Sequence, residues 1–420
     1  PAQFLPLIAD DYVQVNLGRM YGPFDSWSKL AGDVLYRSRA TSILLTYWTE
    51  QLAGFSPAAF NLSSLTLHLV NVALVALLGV WRVLGWRLSC SAALVFACAE
   101  GHQEAVIWYA ALPELLVFTF VLAAFLFWIL WLQEPNHRIR NYLLCLGCFI
   151  LGVLSKESAV CLVGLQVLSI FVNRIADEGK ARLQFSHWFA ILPFALISAI
   201  YFLLIYQAKQ THLHLNDGTF SLSAPFITTL INSATRLMWF WGIAAAVALT
   251  LLKKLKPVFL VVVLGWTIIT LLPYSFLTYM NRVPSRHTYL ASVAAALLVA
   301  AAFLAVRDRW PRRPALTAAV ALAFVLHNCL YLWTVKQQQY QLRAAPTHDL
   351  IRFARTYDGP IYVSCFEYAQ EVATLALDME LKSQSHRLRW INPPVCSDHQ
   401  YHRMPPQPSA VLEQAPASLP

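Results

Sequence analysis

Long stretches of this chain carry no Asp, Glu, Lys or Arg at all: residues 287–306 form one such run and residues 315–335 another. A buried helix in a water-soluble core needs only about 10–14 consecutive apolar residues, whereas a bilayer demands about 20. Runs of the longer kind recur from residue 61 onward. Charged residues make up 13% of the chain, against about 25% in an ordinary soluble protein. In hydrocarbon every backbone N–H and C=O must be satisfied within the segment, so such runs become helices. The expected fold class is an all-α polytopic membrane protein of about ten transmembrane helices, followed by a small C-terminal α/β appendage.

The candidate spans are approximately 61–81, 88–100, 114–133, 141–155, 157–173, 187–206, 233–252, 257–275, 287–306 and 315–334. The loops between them sort by charge. One alternate set holds Arg82 and Arg87; Arg138 and Arg140; Arg174, Lys180 and Arg182; Lys253, Lys254 and Lys256; and Arg307, Arg309, Arg312 and Arg313. The other holds little beyond Lys156, Lys209, Arg282 and Arg286. Basic loops stay in the cytoplasm, so residues 1–60 and the tail from about 335 are expected outside. The net charge of +9 is thereby accounted for by membrane anchors and not by nucleic acid.

Residues 1–60 mix acids, arginines and aromatics, as expected of an amphipathic outer segment lying on the interface. Residues 61–334 form the transmembrane domain. Residues 335–404 read as the small extracytoplasmic α/β region: a helix over 346–356 with Thr347 at its N-cap, and short strands at 361–364 and 388–391. Residues 405–420 are Pro-rich and expected to be disordered. Of the eight cysteines, Cys365 and Cys396 lie in the tail and can pair in an oxidising compartment. The sequence begins at Pro1 without a signal peptide and reads as a fragment.

Polar residues retained beside a membrane are functional candidates, and here they fall on the outer side. Asp10 and Asp11 are adjacent carboxylates that repel, which raises the proton affinity of one of them. They suit a base for an acceptor hydroxyl, or else an N-cap pair for the run that follows. His102 and Glu104 lie at an outer mouth, either as an acceptor-side site or as a polar cap; two residues apart, they do not share a helix face. Ser155-Lys156-Glu157 forms a tight outer turn, where Lys156 either pairs with its neighbour or binds phosphate. Arg282, Arg286 and His287 run against the charge bias and call for an anion, either a lipid headgroup or a substrate phosphate. His68 and Asn71, three apart on one helix face, suit interhelical hydrogen bonding.

The order of these features resembles the GT-C superfamily of multi-pass glycosyltransferases. It runs from the outer acidic pair through Tyr36-Arg37, His68-Leu69-Val70-Asn71, His102-Gln103-Glu104-Ala105-Val106 and Ser155-Lys156-Glu157 to Arg286-His287-Thr288-Tyr289-Leu290. The branch it resembles most is the protein O-mannosyltransferase-like one and its tetratricopeptide-tailed relatives. The resemblance covers about residues 8–300. It implies an enzyme that takes a sugar, hexosyl or mannosyl, from a polyprenyl-phosphate carrier. The sugar passes to a protein, lipid or glycan acceptor on the outer face of a bacterial inner membrane or, alternatively, in the endoplasmic reticulum. Asp10 then stands as base with Asp11 as partner, Lys156, Arg282, Arg286 and His287 as donors to the carrier phosphate, and His102 and Glu104 beside the acceptor. No metal ligands are assigned, although a divalent metal is compatible with the chemistry. The sequence departs from the family where the mannosyltransferase branch has Gly-Arg-x-Asp: this chain has Ala111-Leu112-Pro113-Glu114. The family's transmembrane helix ahead of the acidic pair is also missing. Two other readings of the same residues are a transporter or flippase for a lipid-linked anion, and an inactive GT-C-like scaffold.

Overall fold

The computed structural model describes residues 6–176, 185–207, 210, 218–278, 281–391 and 401–402. Lys180, Arg182, Lys209, Cys396 and the Pro-rich end at 405–420 lie outside the described residues.

The outer amphipathic segment folds into α1 (Asp11–Tyr21), α2 (Trp27–Gly32) and α3 (Ala40–Ala53). Arg19 on α1 grips Glu50 on α3 with both Nε and Nη2, at 3.0 and 2.6 Å to Oε1. There follow α4 (Pro57–Leu77), α5 (Gly85–Cys98), the short α6 (Gln103–Ile107), α7 (Leu112–Gln133), α8 (Arg138–Val153), α9 (Cys161–Ala176) and α10 (Phe185–Gln207). After these come α11 (Phe226–Met238), α12 (Trp241–Leu251), α13 (Pro257–Leu271), α14 (Ser292–Arg309) and α15 (Pro314–Tyr331). All ten segments expected to span are helical, and among the described residues six helices are long and apolar enough to cross alone, those over 57–80, 109–133, 157–176, 187–207, 257–274 and 314–356.

One expected span is not a single rod. Residues 233–252 are apolar enough to read as one helix, but α11 and α12 meet at 76°. Phe240 at the break has φ 57°, in the left-handed region. The cause lies on the polar face of α11. Asn232 donates to the Asn281 carbonyl at 2.9 Å, and the Val283 N–H donates to Ser233 Oγ at 3.0 Å. Those bonds hold α11 against the outer loop and turn it away from the line of α12.

Loop positions agree with the charge alternation. At one end the loops around residues 8–11, 100–110, 155–157 and 285–288 touch one another through hydrogen bonds and ion pairs. At the other end Arg87 pairs with Asp308, joining two of the basic loops. Between the ends the helices are fastened by buried polar contacts such as Trp81 Nε1 to Asn173 Oδ1 at 2.7 Å and Trp128 Nε1 to Ser169 Oγ at 2.9 Å. Small residues let α9 and α13 approach closely. A Cβ on Gly164 would meet Ile269 Cγ2 at 2.7 Å, and one on Gly265 would meet Leu168 Cδ1 at 2.6 Å.

The tail corrects two expectations. Helix α15 does not stop near 334. It passes through a π turn at Leu332–Lys336 into α16 (Gln337–Thr356). Thr347 is therefore a buried position inside α16, its hydroxyl donating to the Ala344 carbonyl at 3.0 Å, and not an N-cap. Pro346, which suggests a helix start, lies within the helix. Packing outweighs the bond it removes: Leu350, Ile351 and Ala354 of α16 join the same core as Val372, Ala373 and Leu377 of α17 (Gln370–Leu381). Strand β1 (Ile361–Val363) pairs in parallel with β2 (Leu388–Trp390) and antiparallel with β3 (Tyr401–His402). The β1–α17–β2 crossover is the α/β unit. Cys365 is disulfide-bonded, while its expected partner Cys396 lies outside the described residues. Tyr340 donates to the Pro6 carbonyl at 2.7 Å and Tyr12 to Glu380 Oε1 at 3.4 Å, so the tail is seated on the outer N-terminal segment.

The close approach of α9 and α13 makes a test. Gly265→Leu should overpack that contact and cost about 1–3 kcal/mol, seen as a lower melting temperature in detergent. Gly147→Ala, where an added Cβ meets nothing within 4 Å, should leave it unchanged.

Candidate functional site

Two adjacent acids at the start of α1 have different fates. Asp11 is fully buried: its Oδ2 accepts the Ile8 N–H at 2.9 Å and its Oδ1 the Ala110 N–H at 2.7 Å. It braces the N-terminal turn against the loop before α7. Burial, opposed by those N–H groups and reinforced by Asp10, pushes its carboxyl up to about 8. Asp10 is exposed and sits at the N-cap position of α1 without making a side-chain cap bond. The residue before it, Ala9, has φ 41°, a left-handed conformation costing an L-residue about 1–2 kcal/mol. Burial by flanking protein raises the Asp10 carboxyl above its usual range, and the Arg286 guanidinium partly offsets that rise.

Arg286 is held by Glu104. Its Nη1 donates to Glu104 Oε1 at 2.6 Å, while the Ser285 hydroxyl and the Arg286 N–H donate to Oε2 at 2.8 and 3.3 Å. Burial alone would raise the Glu104 carboxyl, but Arg286 and Ser285 outweigh it and hold it below the usual range. A second guanidinium, Arg343 of α16, reaches the same Oε1 at 3.6 Å. Both arginines lie against the Trp108 ring, with centroids 4.7 and 5.9 Å away.

Next to this cluster is a buried polar set that the sequence pattern hid. Glu114, in the first turn of α7, takes Lys156 and His287 on Oε1 and the Tyr274 hydroxyl on Oε2 at 2.7 Å. The Tyr274 hydroxyl also lies 2.7 Å from Ser158 Oγ, and its ring stacks on His287 at 4.5 Å. Lys156 thus pairs across the fold with Glu114 and not with adjacent Glu157, which instead binds Arg39 at 2.9 Å. Lys156 and His287 are engaged with this acid, whereas Arg282 is exposed and makes no ion pair among the described residues.

His102 departs from the acceptor-side expectation. Although two residues from Glu104, it points into the core, with Nε2 2.7 Å from Ser292 Oγ and its ring 4.3 Å from Phe96. Burial lowers its pKa well below the ordinary value and keeps it neutral. His68 Nδ1 lies 2.7 Å from the Tyr289 hydroxyl, and Asn71 donates to the Leu115 carbonyl at 3.1 Å, linking α4 to α7 and to the turn before α14. Among the described residues no three His, Cys, Asp or Glu side chains converge as a metal site.

Glu114, Arg343, Trp108 and Tyr274 were not singled out from sequence as site residues. Glu114 alone gave a signal: an acid buried in the first turn of an otherwise apolar run needs a cation, and Lys156 was the cation without an obvious reason to be there.

No family model matches the chain, and no curated protein does. Two solved structures are similar in fold. One is ArnT from Cupriavidus metallidurans bound to undecaprenyl phosphate, 12% identical, with a TM-score of 0.51 over 89% of this chain and 81% of that one. The other is the same protein in the apo state, 12% identical, with a TM-score of 0.50 over 89% and 80%. The chain shares the membrane-protein fold of these structures.

His287 supplies a pH test. Burial, with Lys156 adding to it against the opposing pull of Glu114, lowers His287 to about 4 from 6.5. Between those values the unfolded chain binds a proton that the folded chain refuses, so stability should fall as pH drops through that window. His287→Gln should flatten that part of a melting-temperature profile.

Proposed function

We propose that this protein is a glycosyltransferase that moves a sugar, hexosyl or mannosyl, from a polyprenyl-phosphate carrier to an acceptor hydroxyl on the extracytoplasmic face of a bacterial inner membrane. The observation that carries the reading is the Asp10 carboxylate, exposed and free of a cap bond at the start of α1, within electrostatic range of Arg286, in a chain that shares the fold of ArnT. A scaffold would have no reason to hold a strained turn that presents a carboxylate there.

In this reading the acceptor oxygen attacks the anomeric carbon as Asp10 takes its proton. The bond from that carbon to the phosphate oxygen breaks, the electron pair leaves with the carrier phosphate, and the configuration inverts. Negative charge grows on the departing phosphate, where cationic donors matter most. Arg286, fixed by Glu104 and Trp108, is one such donor, and Arg282 is open beside it in the same loop. Lys156 is held ready in the Glu114 pair and can contribute its charge without a free side chain being ordered. Asp11 supports the reading by anchoring the turn, with its own oxygens occupied. Glu104 acts as a positioning residue for Arg286.

Transport of a lipid-linked anion has one observation in its favour, the broken α11–α12 span, since transporters place substrate sites at such breaks. The side chains at this break, Trp239 and Phe240, are apolar and exposed and carry no charge to pair with an anion.

Asp10→Asn should reduce sugar transfer from a radiolabelled polyprenyl-phosphate donor by about 100-fold or more, in line with the loss of a general base, while the melting temperature is retained. Wild-type transfer rates in that variant would remove Asp10 from the chemistry. Donor moved across the bilayer without release of sugar would establish transport instead.

A further inference from the structure

The π turn and the start of α16 bring more cations to the Glu104 cluster than its carboxylates use. Lys336 reaches only a neutral partner, donating to Gln339 Oε1 at 3.1 Å. Arg236, Arg343, Glu100 and Glu104 all lie within its electrostatic range. Glu100 is taken by Arg236 at 3.4 Å, and Glu104 is taken by Arg286 at 2.6 Å before Arg343 reaches it at 3.6 Å. Arg343 is 56% exposed, and that single long contact leaves most of its five donors open. The Trp108 indole N–H beside it is buried and unpartnered.

Register explains how these groups arrive together. The buried face of α15 runs through Phe324 and Asn328. Carried forward at 3.6 residues per turn, that face would reach about residue 342. The observed inward face of α16 instead runs Tyr340, Ala344 and Thr347, later by between one and two residues, and the π turn at 332–336 supplies one of them. Lys336, Tyr340 and Arg343 then share one side, and that side meets Glu104 and Pro6. Without the inserted residue, this face would be occupied by Leu342, which is 71% exposed in the structure.

We propose that Arg343, lying over the Trp108 ring, and Lys336 earlier on the same helix face form a second anion site that binds a phosphate or carboxylate borne by the acceptor. Like charges gathered at the edge of a membrane are costly unless an anion joins them, and a guanidinium fork with an adjacent ammonium matches the oxygens of such a group. The site adjoins the donors proposed for the carrier phosphate, since Arg343 and Arg286 share Glu104 Oε1 and the Trp108 ring, but its cations come from the helix beyond the last span and take a different ligand. Calling the ligand an acceptor rests on the glycosyltransfer reading; the anion site itself does not.

The test uses the full chain in nanodiscs of phosphatidylcholine and follows, by calorimetry, saturable binding of dihexanoyl phosphatidic acid, a soluble phosphate monoester. The double variant Lys336→Gln with Arg343→Gln should bind about tenfold more weakly or worse, with its melting temperature unchanged. Arg343→Gln alone serves if the double variant is unstable. Wild-type binding by these variants overturns the site. Displacement of the probe by undecaprenyl phosphate overturns its separateness from the carrier site. Loss of wild-type binding when the nanodiscs are doped with phosphatidylglycerol makes it a bulk-lipid headgroup site and overturns the acceptor assignment. Because the readout is binding and not turnover, failure of sugar transfer would be recognised separately.

Discussion

A buried Lys156–Glu114 pair at the outer rim is the contact on which the surrounding arrangement turns. Neither charge tolerates this environment alone, since an unpartnered ion removed from water costs several kcal/mol. Their mutual need draws three separate pieces of chain together: the first turn of α7, the turn between α8 and α9, and the 285–288 loop through His287. With His287 fixed, its neighbour Arg286 is delivered to Glu104 and Trp108. The open end of the protein thus has its cations in fixed positions before any ligand arrives.

The same logic divides the work of the acidic pair. A single carboxylate could not both brace the N-terminal turn and remain free to accept a proton. Asp11 satisfies two backbone N–H groups from inside the protein, and Asp10 keeps its oxygens uncommitted. The helical appendage closes over this turn from the other side through Tyr340 and Pro6. Asp10 therefore lies between the membrane domain and the tail.

Much of the fold was legible because the bilayer leaves so few choices: apolar length set the helices. Legibility failed where tertiary contacts overrode a local signal. The apolar run at 233–252 hid a break made by hydrogen bonds from Asn232 and Ser233 to a distant loop. Pro346 looked like a helix start and is held inside one by packing. In the site, the polar residues were visible as exceptions to an apolar background, but their partners were not. Lys156 faces Glu114, forty-two positions away, and sequence proximity suggested Glu157. His102 and Glu104 looked like one feature because they are near neighbours, yet one belongs to the core and the other to the rim.

The unbroken passage from α15 into α16 has a mechanical meaning. A flexible linker would let the tail sample many heights above the membrane. A helix does not: α16 has 20 residues, about 30 Å at 1.5 Å per residue, and it grows out of a spanning helix without a hinge. The α/β unit is thereby mounted on a stiff mast, and the gap between it and the lipid surface is a fixed dimension of the protein. Whatever meets that unit meets it at a set height, a ruler built from helix length and not from any side chain.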